Sequence, residues 1–479
     1  MSRPLKRSRT RSGTHFGNSA PLQLRTIGLA SYSRAQLIAP YPLMKMSKTT
    51  TMSPNPQERA KILASVKTAV LKHHINVGGV SYDAWTALVD QRTPGLLEAE
   101  TSLFESGVKD LLSELKSSHI AFFHEAGKQL LPQHTLNATL RSFTFAGKER
   151  WFFLDVFEGG PAHAAGVKPG DMLLAVNGTE YLPPTMPPFD VGQTCDLRIA
   201  DASGENIRHV SAKVPKRKGT RSRPPIVEPQ PLSHAMVAQG VGLVRVTYFP
   251  GELGIGFANA LDPVVKSLKE SGANRLIIDL RGNIGGGLGL ARLASYLCPG
   301  QIPIGYSLTP GRLRKGYKKE DLPSVPMPQT RLGLLWTLGR FTFRDKSLFL
   351  LTQGLGPQPF HNRIVLIVNE WTNSAPEMVA GFAAENGLAT IVGKKTAGNV
   401  LGAANFKVGS GYWVRLPIFG WYTSKGECLE GKGVSPQVLV DVDPCQLNVG
   451  VDQQMNKAIE VLTKLDNSPR LPARKLSEN

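Results

Sequence analysis

Residues 364–384 contain the apolar run Ile364-Val365-Leu366-Ile367-Val368, then Asn373-Ser374-Ala375-Pro376-Glu377, then Met378-Val379-Ala380-Gly381-Phe382-Ala383-Ala384. An unbroken apolar run of this length reads as a strand buried on both faces. The Ala-rich stretch after Pro376 reads as a buried helix. The same order recurs upstream. Arg275-Leu276-Ile277-Ile278-Asp279-Leu280 runs into Arg281-Gly282-Asn283-Ile284-Gly285-Gly286-Gly287, and a helix-like stretch from Leu290 to Leu297 follows. Apolar strands alternating with helices predict an α/β layer with a largely parallel sheet.

Ser374 falls on the strand-to-helix turn of the first unit. Its hydroxyl can meet a base there, and the free N–H groups of the following helix point at it. The bland alternative is a helix cap, because Ser374 with Glu377 fits a capping box. The two roles are compatible. A serine hydroxyl needs a base near neutral pH, and His119 is the candidate. It lies between an apolar helical stretch and Ile120-Ala121-Phe122-Phe123, and Ser118 precedes it. An imidazole acting as a base needs a partner that fixes its tautomer, and Ser118 and Glu430 are the candidates. Glu430 lies in Cys428-Leu429-Glu430-Gly431-Lys432-Gly433-Val434-Ser435-Pro436, which leads into the strand Val438-Leu439-Val440. Oxyanion donors are expected from the N–H of Ala375 and from the glycine turn at Gly285-Gly286. The glycine run Gly282 to Gly287 does not satisfy GxGxxG and no GK[ST] follows, which argues against a nucleotide loop.

At 479 residues and 41% hydrophobic, the chain is long enough for two or three domains with sizeable cores. Cys195, Cys298, Cys428 and Cys445 are scattered, with no metal-site or redox spacing. No apolar run reaches about 18 residues, so no spanning helix is expected. The net charge of +19 is concentrated. Residues 1–57 hold nine Lys or Arg and no Asp or Glu. That segment reads as a transit-like peptide, a disordered basic arm, or an over-extended start upstream of Met46 or Met52. A compact secretory core is missing from it, which favours a cytoplasmic or organellar setting. Lys216-Arg217-Lys218-Gly219-Thr220-Arg221-Ser222-Arg223 carries no interleaved aromatics and reads as a solvated linker rather than a nucleic-acid site. The cluster Arg312, Arg314, Lys315, Lys318 and Lys319 reads the same way.

Residues 58–128 form a helical region, with apolar spacing strongest at Ala60–Leu71 and Val108–Leu115. Residues 129–214 form a strand-rich module. It contains Trp151-Phe152-Phe153-Leu154-Asp155-Val156, a short helix stopped by Gly166, the turn Lys168-Pro169-Gly170-Asp171, and Met172-Leu173-Leu174-Ala175-Val176-Asn177-Gly178. This pattern resembles a PDZ domain. Its carboxylate loop is expected near Leu140 to Phe145, where Thr144-Phe145-Ala146-Gly147 is no clear match to Gly-Leu-Gly-Phe. A Pro-rich and basic linker spans 215–234, the α/β core 235–445, and a C-terminal helix and tail 446–479. Leu332–Leu338 and Ser347–Leu355 read as short elements over or beside the site.

Taken together, residues 100–445 resemble the tail-specific, carboxy-terminal processing serine peptidases. Asp279-Leu280-Arg281-Gly282-Asn283-Ile284-Gly285-Gly286 is similar to that family's Asp-Leu-Arg-x-Asn-x-Gly-Gly element. Asn373-Ser374-Ala375-Pro376-Glu377 is similar to its nucleophile turn. Val392-Gly393-Lys394-Lys395-Thr396-Ala397-Gly398 and Gly433-Val434-Ser435-Pro436 match two later landmarks. The resemblance implies a multidomain α/β fold: a helical N-terminal region, a PDZ-like β-rich domain and a crotonase-like catalytic core. It also implies a peptide or protein substrate, taken by its C-terminal tail or internally, and no cofactor or metal. Bacterial members pair the serine with a lysine just past the Thr-x-Gly turn. That position is Asn399, which has no basic nitrogen. Ser118-His119, Ser374 and Glu430-x-x-Gly-Val are similar instead to the tricorn protease branch. By that resemblance Ser118 and Glu430 orient His119, which activates Ser374. Two competing expectations are a non-catalytic peptide- or ligand-binding protein on the same scaffold, motivated by the missing lysine, and a polyanion binder, motivated by charge alone.

Overall fold

The computed structural model describes residues 53–465 except 126–128, 131, 217–227, 252–253, 327–332 and 334–346. The basic arm up to residue 52, most of the 216–223 stretch, most of 332–338 and the tail after 465 lie outside the described residues.

The alternation of apolar strands and helices builds a six-stranded sheet in the order Val438–Leu439, Thr390–Gly393, Ile364–Val368, Arg275–Asp279, Val241–Val246, Leu232–Ala238. All neighbours are parallel except the last pair, which is an antiparallel edge. Every residue of Ile364–Val368 is buried, as a strand covered on both faces requires. One face is covered by helices Ile255–Glu270, Gly289–Ser295 and Ala375–Glu385, whose Leu261, Leu293, Val379 and Phe382 join the largest core cluster. The other face is closed by helix Gln453–Leu465 through Ala458 and Leu462.

A second, mixed sheet centres on the long strand Tyr412–Thr423, which pairs antiparallel with Ala121–His124, Gly402–Gly409 and Pro303–Leu308. Helices Pro56–His73, Tyr82–Glu98 and Thr101–Ser113 pack on it through Ile62, Val66, Phe104, Val108, Leu111 and Leu112 against Phe122, Val414 and Leu416. Asn55 and Glu58 close a reciprocal capping box at the start of the first helix. The helical region therefore ends by Ser113, and a tight loop carries the chain into the strand Ala121–His124.

The third layer is a five-stranded antiparallel sheet over Ala138–Phe145, Lys148–Val156, Met172–Val176, Thr194–Ala200 and Ile207–Lys213. Leu140 to Phe145, expected to carry a loop, is instead part of its edge strand. Ala146 and Gly147 make the two-residue hairpin turn, both at positive φ (48° and 76°). The sheet docks on the core through Arg141, which pairs with Asp441 (2.6 Å) and Glu370 (3.1 Å). Asn448 adds a hydrogen bond to Asp171 (3.0 Å).

The Asp-Leu-Arg element holds the core together rather than reacting. Asp279 and Arg281 are both buried: Arg281 forks onto Asp279 through Nε and Nη2 (2.9 and 2.8 Å), Nη2 also reaches Asp452 (2.8 Å), and Nη1 donates to Asp452 (3.0 Å) and Gln454 (3.2 Å). Burial pushes the Asp279 carboxyl up, but Arg281 and Arg245 outweigh it and hold it below the ordinary value. This stabilisation is present above the ordinary carboxylate range and is lost as pH falls through the depressed value. Arg281→Ala would strip the buried carboxylate of its hydrogen-bonded partner, leaving only Arg245 at 3.9 Å, and is expected to destabilise the chain by about 3–5 kcal/mol. Chemical denaturation at neutral pH checks this; an unchanged midpoint would refute the lock.

Candidate active site

Two segments 312 positions apart in sequence bring Ser118, His119 and Glu430 together. The loop after helix Thr101–Ser113 turns through Lys116 and His119, both at positive φ (49° and 61°). It presents Ser118 to the loop carrying Glu430. The Glu430 carboxylate accepts the Ser118 N–H (2.7 Å), the Ser118 hydroxyl (3.0 Å) and the Val400 N–H (2.8 Å). Ser118 Oγ lies 2.7 Å from His119 Nδ1. Since the Ser118 proton goes to Glu430, its oxygen accepts from Nδ1–H. That fixes the tautomer and leaves the Nε2 lone pair as the basic end. Burial, then the nearby positive charge of Arg415, lowers the His119 pKa to about 3. The ring is therefore neutral at physiological pH.

Ser374 precedes helix Ala375–Glu385 at φ 69° and ψ −115°, a conformation that costs about 1–3 kcal/mol for a residue with a side chain. The turn is held by Glu377. Its carboxylate accepts the N–H groups of Ser374 (2.9 Å), Gly398 (2.6 Å) and Asn399 (3.0 Å) and the Thr396 hydroxyl (2.7 Å). Burial raises the Glu377 pKa, and these four donors oppose the rise. The Glu377 N–H in turn donates to the Ser374 carbonyl oxygen (2.9 Å). The glycine turn lies against the nucleophile turn. A Cβ on Gly285 would stand 3.3 Å from Ser374 Oγ and 2.9 Å from the Asn373 carbonyl oxygen. Asn373 N–H donates to the Asn283 carbonyl (2.9 Å).

The two halves meet at the Gly398–Val400 segment. Glu377, which holds Ser374, grips the amide of residue 399, and Glu430, which holds Ser118, grips the amide of residue 400. Consecutive Cα atoms are about 3.8 Å apart, so the halves are neighbours. No hydrogen bond joins His119 to Ser374 among the described residues; such contacts commonly tighten only when substrate binds. Of the expected oxyanion donors, Gly285 is displaced: its N–H is taken by Asn283 Oδ1 at 2.9 Å. The N–H groups of Ala375 and Gly286 carry no hydrogen bond among the described residues. Lys394 is ion-paired to Asp441 (2.8 Å), away from this cluster. Sequence reasoning missed the Val400 amide and the hub role of Glu377. The capping pattern marked Glu377 but not the loop it would catch.

Among the described residues no group of His, Cys, Asp and Glu is arranged to hold a metal. No helix among them is long and apolar enough to cross a membrane.

Residues 240–440 match the model of Peptidase family S41. A carboxyl-terminal-processing protease of Picosynechococcus is 23% identical over 318 residues, covering 64% of this chain and 65% of the relative, just under two thirds of its length. The carboxy-terminal processing protease CtpB of Bacillus subtilis is 22% identical over 390 residues, covering 76% and 70%. Among solved structures, mature CPAF complexed with lactacystin aligns with a TM-score of 0.55 at 16% identity, over 86% of this chain and 99% of that one. The photosystem II D1 C-terminal processing protease aligns with a TM-score of 0.50 at 17% identity, over 85% and 97%. At those identities the structural likeness speaks for the fold. Residues 240–440 thus carry the peptidase family S41 region, and the chain as a whole is similar in sequence to carboxyl-terminal processing proteases.

Proposed function

We propose that this chain cleaves peptide bonds with Ser374 as nucleophile, His119 as general base and acid, and Ser118 and Glu430 as the pair that orients the imidazole. The observation that carries this reading is the unbroken hydrogen-bond chain from Glu430 through Ser118 to His119 Nδ1, set beside a strained serine at a helix start. As Ser374 Oγ attacks the carbonyl carbon, its proton passes to His119 Nε2. The imidazolium so formed is stabilised through Ser118 by the Glu430 carboxylate. The N–H groups of Ala375 and Gly286 receive the oxyanion. His119 then protonates the leaving amine, and water, activated by the same nitrogen, releases the acyl group. Asn399 replaces the lysine of the bacterial arrangement, so the histidine supplies the base.

The five-stranded sheet is the PDZ-like module of this reading. Its strand Ala138–Phe145 is terminal in the sheet, buried over Ala138–Leu140 and more exposed toward Phe145, and an extended substrate tail adds along that more exposed part as a further strand. A C-terminal tail is the substrate end that best suits such an edge.

Ser374→Ala is expected to abolish turnover, and a fluorophosphonate is expected to label the wild type at Ser374 alone. A digest of proteome-derived peptides with both proteins side by side reads activity and cleavage preference together. Folded wild type that neither cleaves nor labels would overturn the reading. Glu430→Gln should lower kcat on the order of a hundredfold or more, with little change in KM.

The pH dependence follows from His119. A base must be unprotonated, and its pKa is lowered from 6.5 to about 3. Activity should therefore persist as pH falls through 6.5, and the acid limb of kcat/KM should lie below about pH 6. A limb centred at the ordinary imidazole value would refute the desolvated, neutral base.

A further inference from the structure

Asn369 follows the strand Ile364–Val368 and is 2% exposed. It lies five residues before Ser374. Its Oδ1 accepts the N–H of Gly282 (3.0 Å) and of Trp371 (3.1 Å). Its backbone N–H donates to Thr372 Oγ1 (3.0 Å), and that hydroxyl donates to the Leu280 carbonyl (2.9 Å). One side chain thus ties the start of the glycine turn to the nucleophile turn. The relative placement of Gly286 N–H, Ala375 N–H and Ser374 Oγ depends on that tie.

The orientation of this amide is set from the other sheet. Asn369 Nδ2 donates to Asp155 Oδ2 (3.0 Å), at the end of the strand Lys148–Val156. Asp155 is 4% exposed. Its oxygen also accepts the Thr139 hydroxyl (2.7 Å), and Thr139 Oγ1 accepts the Asp155 N–H (3.0 Å). Arg245 stands 3.6 Å from the other oxygen. A Cβ on Gly282 would come within 2.9 Å of Asp155 Oδ2, so a glycine at φ 67° is what lets the carboxylate in. A carboxylate only accepts, so it forces the NH2 end of Asn369 toward itself and the oxygen toward the two backbone N–H groups. Without it the amide can rotate. The NH2 group would then face Gly282 and Trp371 donor to donor.

We propose that Asp155 and Asn369 are positioning residues for the reaction: the carboxylate on the five-stranded sheet fixes the amide that holds the two catalytic turns in register. This rests on the peptidase reading above. The test uses the full chain, a peptide identified in the digest, and fluorophosphonate labelling. Asp155→Ala should lower kcat and the labelling rate by at least about tenfold, with KM within about twofold, because a misplacement well under 1 Å already slows a reaction. Asp155→Asn keeps an acceptor oxygen and should restore most of the rate. Asn448→Ala cuts a different tie between the same sheet and the core and should leave kcat unchanged. If Asp155→Ala does not fold, Thr139→Val carries the test, with a smaller loss in kcat alone. Wild-type rates in the folded Ala variant, equal losses in the Ala and Asn variants, or an equal loss in Asn448→Ala would overturn the proposal. Absence of labelling in the wild type would instead defeat the peptidase reading.

Discussion

Two carboxylates bound to consecutive amides hold this molecule's centre together. Glu377 takes the N–H of Asn399 and Glu430 the N–H of Val400. Each also binds a serine of the proposed site: Glu377 the amide of Ser374, and Glu430 both the amide and the hydroxyl of Ser118. A charged acceptor satisfied by three or four donors is rigid, because each bond forbids a different rotation. Elements from three regions of the chain are thereby fixed to one short segment.

That rigidity is needed because both reactive residues are strained. His119 and Ser374 occupy positive φ (61° and 69°), where Cβ crowds the backbone. Neither would stay there in a loose loop. The helical layer anchors one side, with the His119 loop running straight into a strand paired to Tyr412–Arg415. The helix Ala375–Glu385, buried along most of its length, anchors the other.

Much of this was legible in the residues. The buried strand at 364–368 announces itself by an unbroken apolar run and that at 275–279 by Leu276-Ile277-Ile278, and the parallel sheet follows from them. Ser374, His119 and Glu430 were nameable because local patterns mark each one: a strand-to-helix turn, a Ser-His pair, a glycine-flanked acid. The rest depends on contacts that no local pattern encodes. Gly285 looked like an oxyanion donor, but its N–H is spent on the Asn283 side chain two residues back. The Leu140–Phe145 segment carried no apolar alternation clean enough to reveal an edge strand. Asp155 and Asn369 meet across 214 positions of sequence. Burial of a polar pair is a property of the finished fold, so neither residue stands out in its own neighbourhood.

The linear order of the site's parts has a consequence for biosynthesis. Ser118 and His119 emerge from the ribosome early, Ser374 much later, and Glu430 last. Until that final acid and the Val400 amide it grips have been translated, the imidazole has no anchor and no fixed tautomer. On the proposed chemistry, a polypeptide that stops short of residue 430 is inert, and hydrolytic competence waits for that acid however early the nucleophile's core has folded.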